Sequence, residues 1–88
     1  MKIDNQMSPE AVVLELGGRV ARQRIEQGIT QAEAARRAGV GKRTIERFED
    51  GGDIQLTTLV RLLGVLGLAQ RLDGLIPEGA VSPMEILR

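Results

Sequence analysis

Between Thr30 and Glu49 the chain has room for two short helices joined by a tight turn. Thr30-Gln31-Ala32-Glu33 has the form of a capping box, in which the Thr hydroxyl and the Glu carboxylate satisfy each other's free backbone donors at a helix start. The segment is rich in Ala as far as Ala38, and Gly39 closes it with a residue that adopts positive φ without a Cβ penalty. About three residues later a second helix spans roughly residues 42–49, with Ile45 and Phe48 three apart on its inner face. Small residues, Ala35 and Ala38, stand where the two helices must cross, and Val40 anchors the turn.

The flanking sequence adds helices on both sides. Residues 1–8 show no period and are expected to form a mobile or loosely docked extension. Ser8-Pro9 reads as an N-cap followed by Pro at the first helical position, opening a helix to about Gln27 with Val13, Leu16 and Val20 on one face. Gly17-Gly18 weakens its middle by ~1 kcal/mol per Gly relative to Ala, which leaves open a start at Leu16 with a separate short helix before it. Asp50-Gly51-Gly52 is a loop. A fourth helix covers about Leu56 to Leu66, with Leu56, Leu59, Val60, Leu63 and Leu66 as its apolar stripe. Gly67 stops it, Ala69–Ile76 is expected to be a short fifth helix, and Ser82-Pro83-Met84-Glu85 reads as the start of a terminal one. No segment alternates with period two and no repeat is present. The class is all-α, with an extension over 1–8, a helical domain over 9–76 and a tail over 77–88.

Absences narrow the chemistry. The 88 residues suffice for one domain and include neither Cys nor His. That removes thiol nucleophiles, imidazole bases, disulfides and histidine or thiolate metal sites, so neither an enzyme nor a cofactor is expected. Glu49, Asp50 and Asp53 lack the spacing of a calcium loop, and no metal is expected. No apolar run approaches the ~20 residues of a membrane span and no leader series opens the chain, which points to a cytoplasmic protein.

The formal net charge is zero, yet it is unevenly spread. Residues 17–47 hold eight basic residues against three acidic ones, whereas both flanks carry an acidic excess. A basic centre of this kind is the footprint expected of a polyanion binder. The two short helices have the geometry of a DNA-binding helix-turn-helix, in which the second helix enters the major groove. Its outward face offers Lys42, Arg43, Thr44 and Arg47 as candidate base readers. Arg22 and Arg36 are candidates for phosphate contact, the competing reading being an ordinary solvated helix face. Phe48, the single aromatic residue, reads as core.

Gly28-Ile29-Thr30-Gln31-Ala32-Glu33-Ala34-Ala35, Ala38-Gly39-Val40 and Thr44-Ile45-Glu46-Arg47-Phe48-Glu49 together resemble the lambda-repressor-like fold of the Cro and XRE-type regulators. The resemblance covers about residues 16–68 and implies a compact five-helix DNA-binding domain. It departs from the usual pattern at Ala34, where Leu is common, and at Gly41, where Ser or Thr usually caps the recognition helix. It implies that Gln31 meets a phosphate at the start of the motif, and that Arg24 and Glu49 form a partly buried salt bridge. Residues 62–87 are also similar to small regulators encoded beside HipA-type kinase toxins, which implies an antitoxin role with such a kinase as partner.

The function expected from these readings is a sequence-specific transcriptional regulator, a repressor in the simplest case, binding double-stranded palindromic DNA as a homodimer. The dimer is expected through residues 54–88, because a single stripe of the fourth helix can face the core and Leu62 and Val65 lack obvious cover. The alternative is a helix-turn-helix-derived protein-interaction module without DNA binding, supported by the zero net charge and the acidic C-terminal half.

Overall fold

The computed structural model describes residues 1–79. Within them lie α1 (Pro9–Glu26), α2 (Gln31–Ala38), α3 (Lys42–Glu49), α4 (Leu56–Val65) and a 3-10 helix (Ala69–Gly74), with no strand among the described residues. The domain is all-α, and none of these helices is long and apolar enough to cross a membrane. The terminal helix expected from Ser82 onward lies outside the described residues.

α1 is continuous through the Gly pair, so the alternative start at Leu16 is not what forms. Pro9 occupies the first turn and the Ser8 hydroxyl accepts the Ala11 N–H at 3.1 Å, which supplies the expected start. Gly17 has a reason that periodicity could not reveal. A Cβ there would lie 2.0 Å from the carbonyl oxygen of Phe48, so its absence lets the backbone at the end of α3 rest directly on α1. Ahead of α1, the terminal ammonium lies 3.5 Å from the Glu15 carboxylate, and Arg19 donates to the Met1 carbonyl.

α2 begins with half of the expected capping box. The Thr30 hydroxyl accepts the Glu33 N–H at 3.0 Å, but the Glu33 carboxylate turns to Arg36 instead of back to the Thr30 amide. A guanidinium one turn away offers a full charge and two N–H donors, one to each carboxylate oxygen, against the single N–H of the Thr30 amide. At its other end Gly39 adopts φ 72°, and the Val40 N–H closes on the Ala35 carbonyl at 3.0 Å. That left-handed step redirects the chain into α3 within three residues.

The core is Val20, Ala34, Ala35, Ile45, Phe48, Leu62 and Leu66, ringed by half-buried Val13, Leu16, Ile29, Val40, Ile54, Leu59, Leu63 and Leu68. α2 packs on both α3 and α4, and its three buried residues are all alanines (Ala34, Ala35, Ala38). α4 is rotated relative to the expected stripe. Thr58 and Leu62 are its buried residues, followed by Leu66 at the cap, whereas Leu56 is 69% and Val60 42% exposed. Leu62 is therefore fully covered within the chain and is not available to a partner. The inward row runs Thr58–Leu62–Leu66 at four-residue spacing, and a pattern of apolar residues alone passes over its threonine. The short fifth helix expected over Ala69–Ile76 is present as a 3-10 helix that ends at Gly74. Its bonds, Arg71 N–H to Leu68 O at 2.9 Å and Leu75 N–H to Leu72 O at 3.1 Å, span three residues, and the segment buries no residue that would sustain a longer helix.

The two adjacent glycines of α1 separate close approach from flexibility. Gly17→Ala is expected to destabilise the fold by about 1–3 kcal/mol or more, because backbone must shift to admit the methyl group. Gly18→Ala meets only the Arg22 Nη1 atom at 3.6 Å and is expected to stabilise by about 0.5–1 kcal/mol. Thermal melts of the two variants followed by circular dichroism should move in opposite directions.

Candidate nucleic-acid interface

α3 is anchored from one side. Ile45 and Phe48 are 0% and 1% exposed, and these two residues fix the rotation of the helix about its axis. Lys42, Arg43 and Arg47 are then necessarily on the solvent side, and all three are exposed. None of them makes an ion pair among the described residues, where the ion pairs are built from the terminal ammonium and other arginines. Gly41 precedes the helix without a side-chain cap, so the first-turn N–H groups, the positive end of the helix dipole, open beside Lys42 and Arg43.

Thr44 stands apart from these three. It is half-buried, and with Arg47 it borders a cleft completed by Val40, Ile54, Gln55 and Thr58 at the start of α4. Thr44 therefore borders the junction of α3 and α4. Asp53, weighed from sequence only as part of a metal loop, and Gln55 also line that cleft, and neither was expected at the site because a loop of polar residues after Asp50-Gly51-Gly52 carries no periodic signal. The N–H groups opening α4 next to Gln55 likewise lack a side-chain cap.

Behind this face lies a charged network. Arg24 donates to Glu49 in bidentate fashion, Nε to Oε2 at 2.7 Å and Nη2 to Oε1 at 2.9 Å, and its Nη1 donates to the Ile29 carbonyl at 2.8 Å. The two side chains retain only 11% and 5% of their exposure. The hydrogen bond to Glu49 raises the Arg24 pKa further above its already high value, against the opposing effect of burial. Gln31, in the first turn of α2, donates from Nε2 to Glu49 Oε1 at 3.0 Å. The Arg24–Glu49 pair thus holds together α1, the link into α2, the start of α2 and the end of α3. Gln31 remains half-buried at the N-terminus of α2, with its amide committed to Glu49 in the free protein.

The remaining phosphate candidates occupy different surroundings. Arg36 is exposed on α2 and paired with Glu33, Nε to Oε2 at 3.0 Å. This pairing lowers the Glu33 pKa and raises that of Arg36, mainly through the hydrogen bond between them. Arg22 lies 3.6 Å from Glu15 and borders a cleft shared with Arg19, Leu68 and Arg71, separate from the one that holds Thr44 and Arg47. Arg37 reaches the Val65 carbonyl at 3.5 Å, at the end of α4.

The sequence profile of the helix-turn-helix family, of the Cro/C1 or XRE type, matches residues 20–69, more than half of the chain. The protein belongs to this family. The match runs from Val20 in α1 to the first residue of the 3-10 helix and contains the whole Arg24–Glu49 network. The family is one of DNA-binding transcriptional regulators, and this chain carries its DNA-binding domain. A comparison with curated proteins found no match.

Removing one member of a buried ion pair strands the other. Glu49→Ala is expected to cost about 3–5 kcal/mol, since it leaves the Arg24 guanidinium without its carboxylate. The check is chemical denaturation of both proteins. Unchanged stability together with lost DNA binding would overturn the structural assignment of Glu49.

Proposed function

We propose that this protein is a sequence-specific repressor that occupies a palindromic operator as a homodimer and reads bases with α3. The observation that carries the proposal is the division of α3 into a locked face and a free one. Ile45 and Phe48 fix its orientation, while Lys42, Arg43 and Arg47 remain exposed and unpaired among the described residues. An Arg fork suits guanine O6 and N7, and residues at the start of a recognition helix are those nearest the base edges. Thr44, at the junction with α4, takes a supporting position at the groove wall.

Phosphates are assigned to the N-terminus of α2, where free N–H groups and the Gln31 amide converge. Arg36 joins them by exchanging Glu33 for a phosphate, and Arg22 reaches the backbone only at the edge of the site. For the dimer, Leu56 and Val60 form an exposed row one turn apart on α4, with Leu75 and Ile76 also exposed. A twofold axis through this surface would present two recognition helices to half-sites about 34 Å apart. The similarity of residues 62–87 to regulators encoded beside HipA-type kinases extends the proposal to an antitoxin. Co-purification with a kinase encoded next to its gene tests that extension.

Arg43→Ala is expected to lower specific affinity by about 1–3 kcal/mol and relax the preference at one operator position. Gln31→Ala should instead weaken binding evenly across sequences, because phosphate contacts position the protein without reading bases. Binding-site selection from random DNA, followed by gel shifts at two salt concentrations, separates the two effects. Identical motifs and affinities for Arg43→Ala and the parent protein would remove Arg43 from the reading head.

Sedimentation equilibrium tests the dimer. The parent chain is expected to associate at tens of micromolar, and the Leu56→Asp/Val60→Asp variant to sediment as a folded monomer. A monomeric parent chain would defeat the assignment.

A further inference from the structure

Leu16 and Val20 of α1, Leu59 and Leu63 of α4, and Leu72 and Leu75 of the 3-10 helix line a single groove with apolar walls. Its volume is about 280 Å³. The outer wall is lightly held, since the 3-10 helix buries none of its own residues and Leu75 is 66% exposed. Water in such a groove finds few hydrogen-bond partners, so an apolar group that displaces it is favoured.

The groove adjoins a cationic cleft. Arg19, Gln23, Leu68 and Arg71 border both, and the cleft adds Arg22 and Glu26. Arg19 and Arg22 share the Glu15 carboxylate, whereas Arg71 makes no ion pair among the described residues. With Glu15 and Glu26 both counted, the guanidiniums still outnumber the carboxylates. The planar fork of a guanidinium matches a carboxylate. An apolar groove beside an uncommitted guanidinium is therefore complementary to an amphiphile with an anionic head.

Size separates the occupants. Small-molecule sites run from about 300 to 1,000 Å³ and join apolar walls to a few polar groups that fix orientation, and this groove stands at their lower end. The stretch of α1 from Leu16 to Gln23 rises about 10 Å, which suits an aliphatic chain of medium length. An amphipathic helix is about as wide as that stretch is long and asks for a longer trough. A second copy of the chain fits no better, because a twofold contact would set the three arginines against their own images.

We propose that the groove binds a small aliphatic carboxylate, with its chain between α1, α4 and the 3-10 helix and its head on Arg71. Leu56 and Val60 lie outside the groove and stay available for assembly. The proposal does not depend on DNA binding, and its test uses no DNA.

The test titrates decanoate, kept below its micelle threshold, into the methyl-labelled full chain and follows the methyl signals by NMR. Saturable shifts are expected at Leu16, Leu63 and Leu72, while Val40 and Ile54, in the α3–α4 cleft, stay fixed. Butyrate, with the same head and little chain, is expected to move none of them. Arg71→Glu alters an exposed residue without an ion pair, so the fold is expected to persist. That variant is expected to bind decanoate about tenfold more weakly. Decylammonium should show the opposite preference and bind the variant more tightly than the parent. A parent chain without saturable shifts overturns the proposal, as do shifts that extend equally to Val40 and Ile54, the mark of non-specific uptake. Equal affinity of decanoate for the parent and Arg71→Glu would overturn it too, since the groove would then accept any apolar chain.

Discussion

The Arg24–Glu49 pair is the constraint on which the placement of every other functional element rests. Its charges are largely withdrawn from water, and this desolvation is tolerable because every strong donor has an acceptor. Arg24 satisfies both carboxylate oxygens and the Ile29 carbonyl, and Gln31 adds a fourth bond. A pair like this adds little to net stability relative to an apolar replacement of the same shape. What it adds is directional. The fork of a guanidinium meets a carboxylate in one plane, so the end of α3 and the start of α2 hold a fixed relation to α1. No side-chain N or O atom buried among the described residues lacks a partner, so the polar centre of the domain is complete.

Around that centre the packing depends on what is missing from side chains. Gly17 lets the Phe48 carbonyl approach α1, and the alanines of α2 let α3 and α4 close on it from two sides. Phe48 supplies bulk where the helices diverge, and it is 1% exposed. Small residues at the crossings and one large ring between them allow so short a chain to bury a continuous core. The same economy makes the core intolerant, since close-packed interiors register even one added methyl group.

The helix-turn-helix was legible from sequence because its signals are local. Caps, small residues and a positive-φ glycine all act within a few positions, so the bounds of α2 and α3 follow from the residues themselves. The rotation of α4 was not legible. α4 packs against α2 with Thr58 in the core row in place of a leucine, Leu62 turned inward and Leu56 and Val60 turned out. Glu33 escaped for a similar reason, since two partners were in reach and the charged one prevailed. The purpose of Gly17 depends on a contact 31 positions away in sequence, which no local pattern encodes.

The fate of the arginines has a consequence for how ions compete with this protein for DNA. Of the basic residues in 17–47, Arg24 is consumed inside the fold, while Arg19, Arg22 and Arg36 lie beside carboxylates. The recognition helix offers three cations of its own, Lys42, Arg43 and Arg47. Under the proposed assignment these three read bases and Arg22 and Arg36 meet phosphate, and with close to one condensed counterion released per phosphate neutralised the logarithmic salt slope would be only about −1.8 per protomer. On that assignment discrimination would come from fit in the groove, and occupancy of a site would be correspondingly insulated from swings in cellular ionic strength.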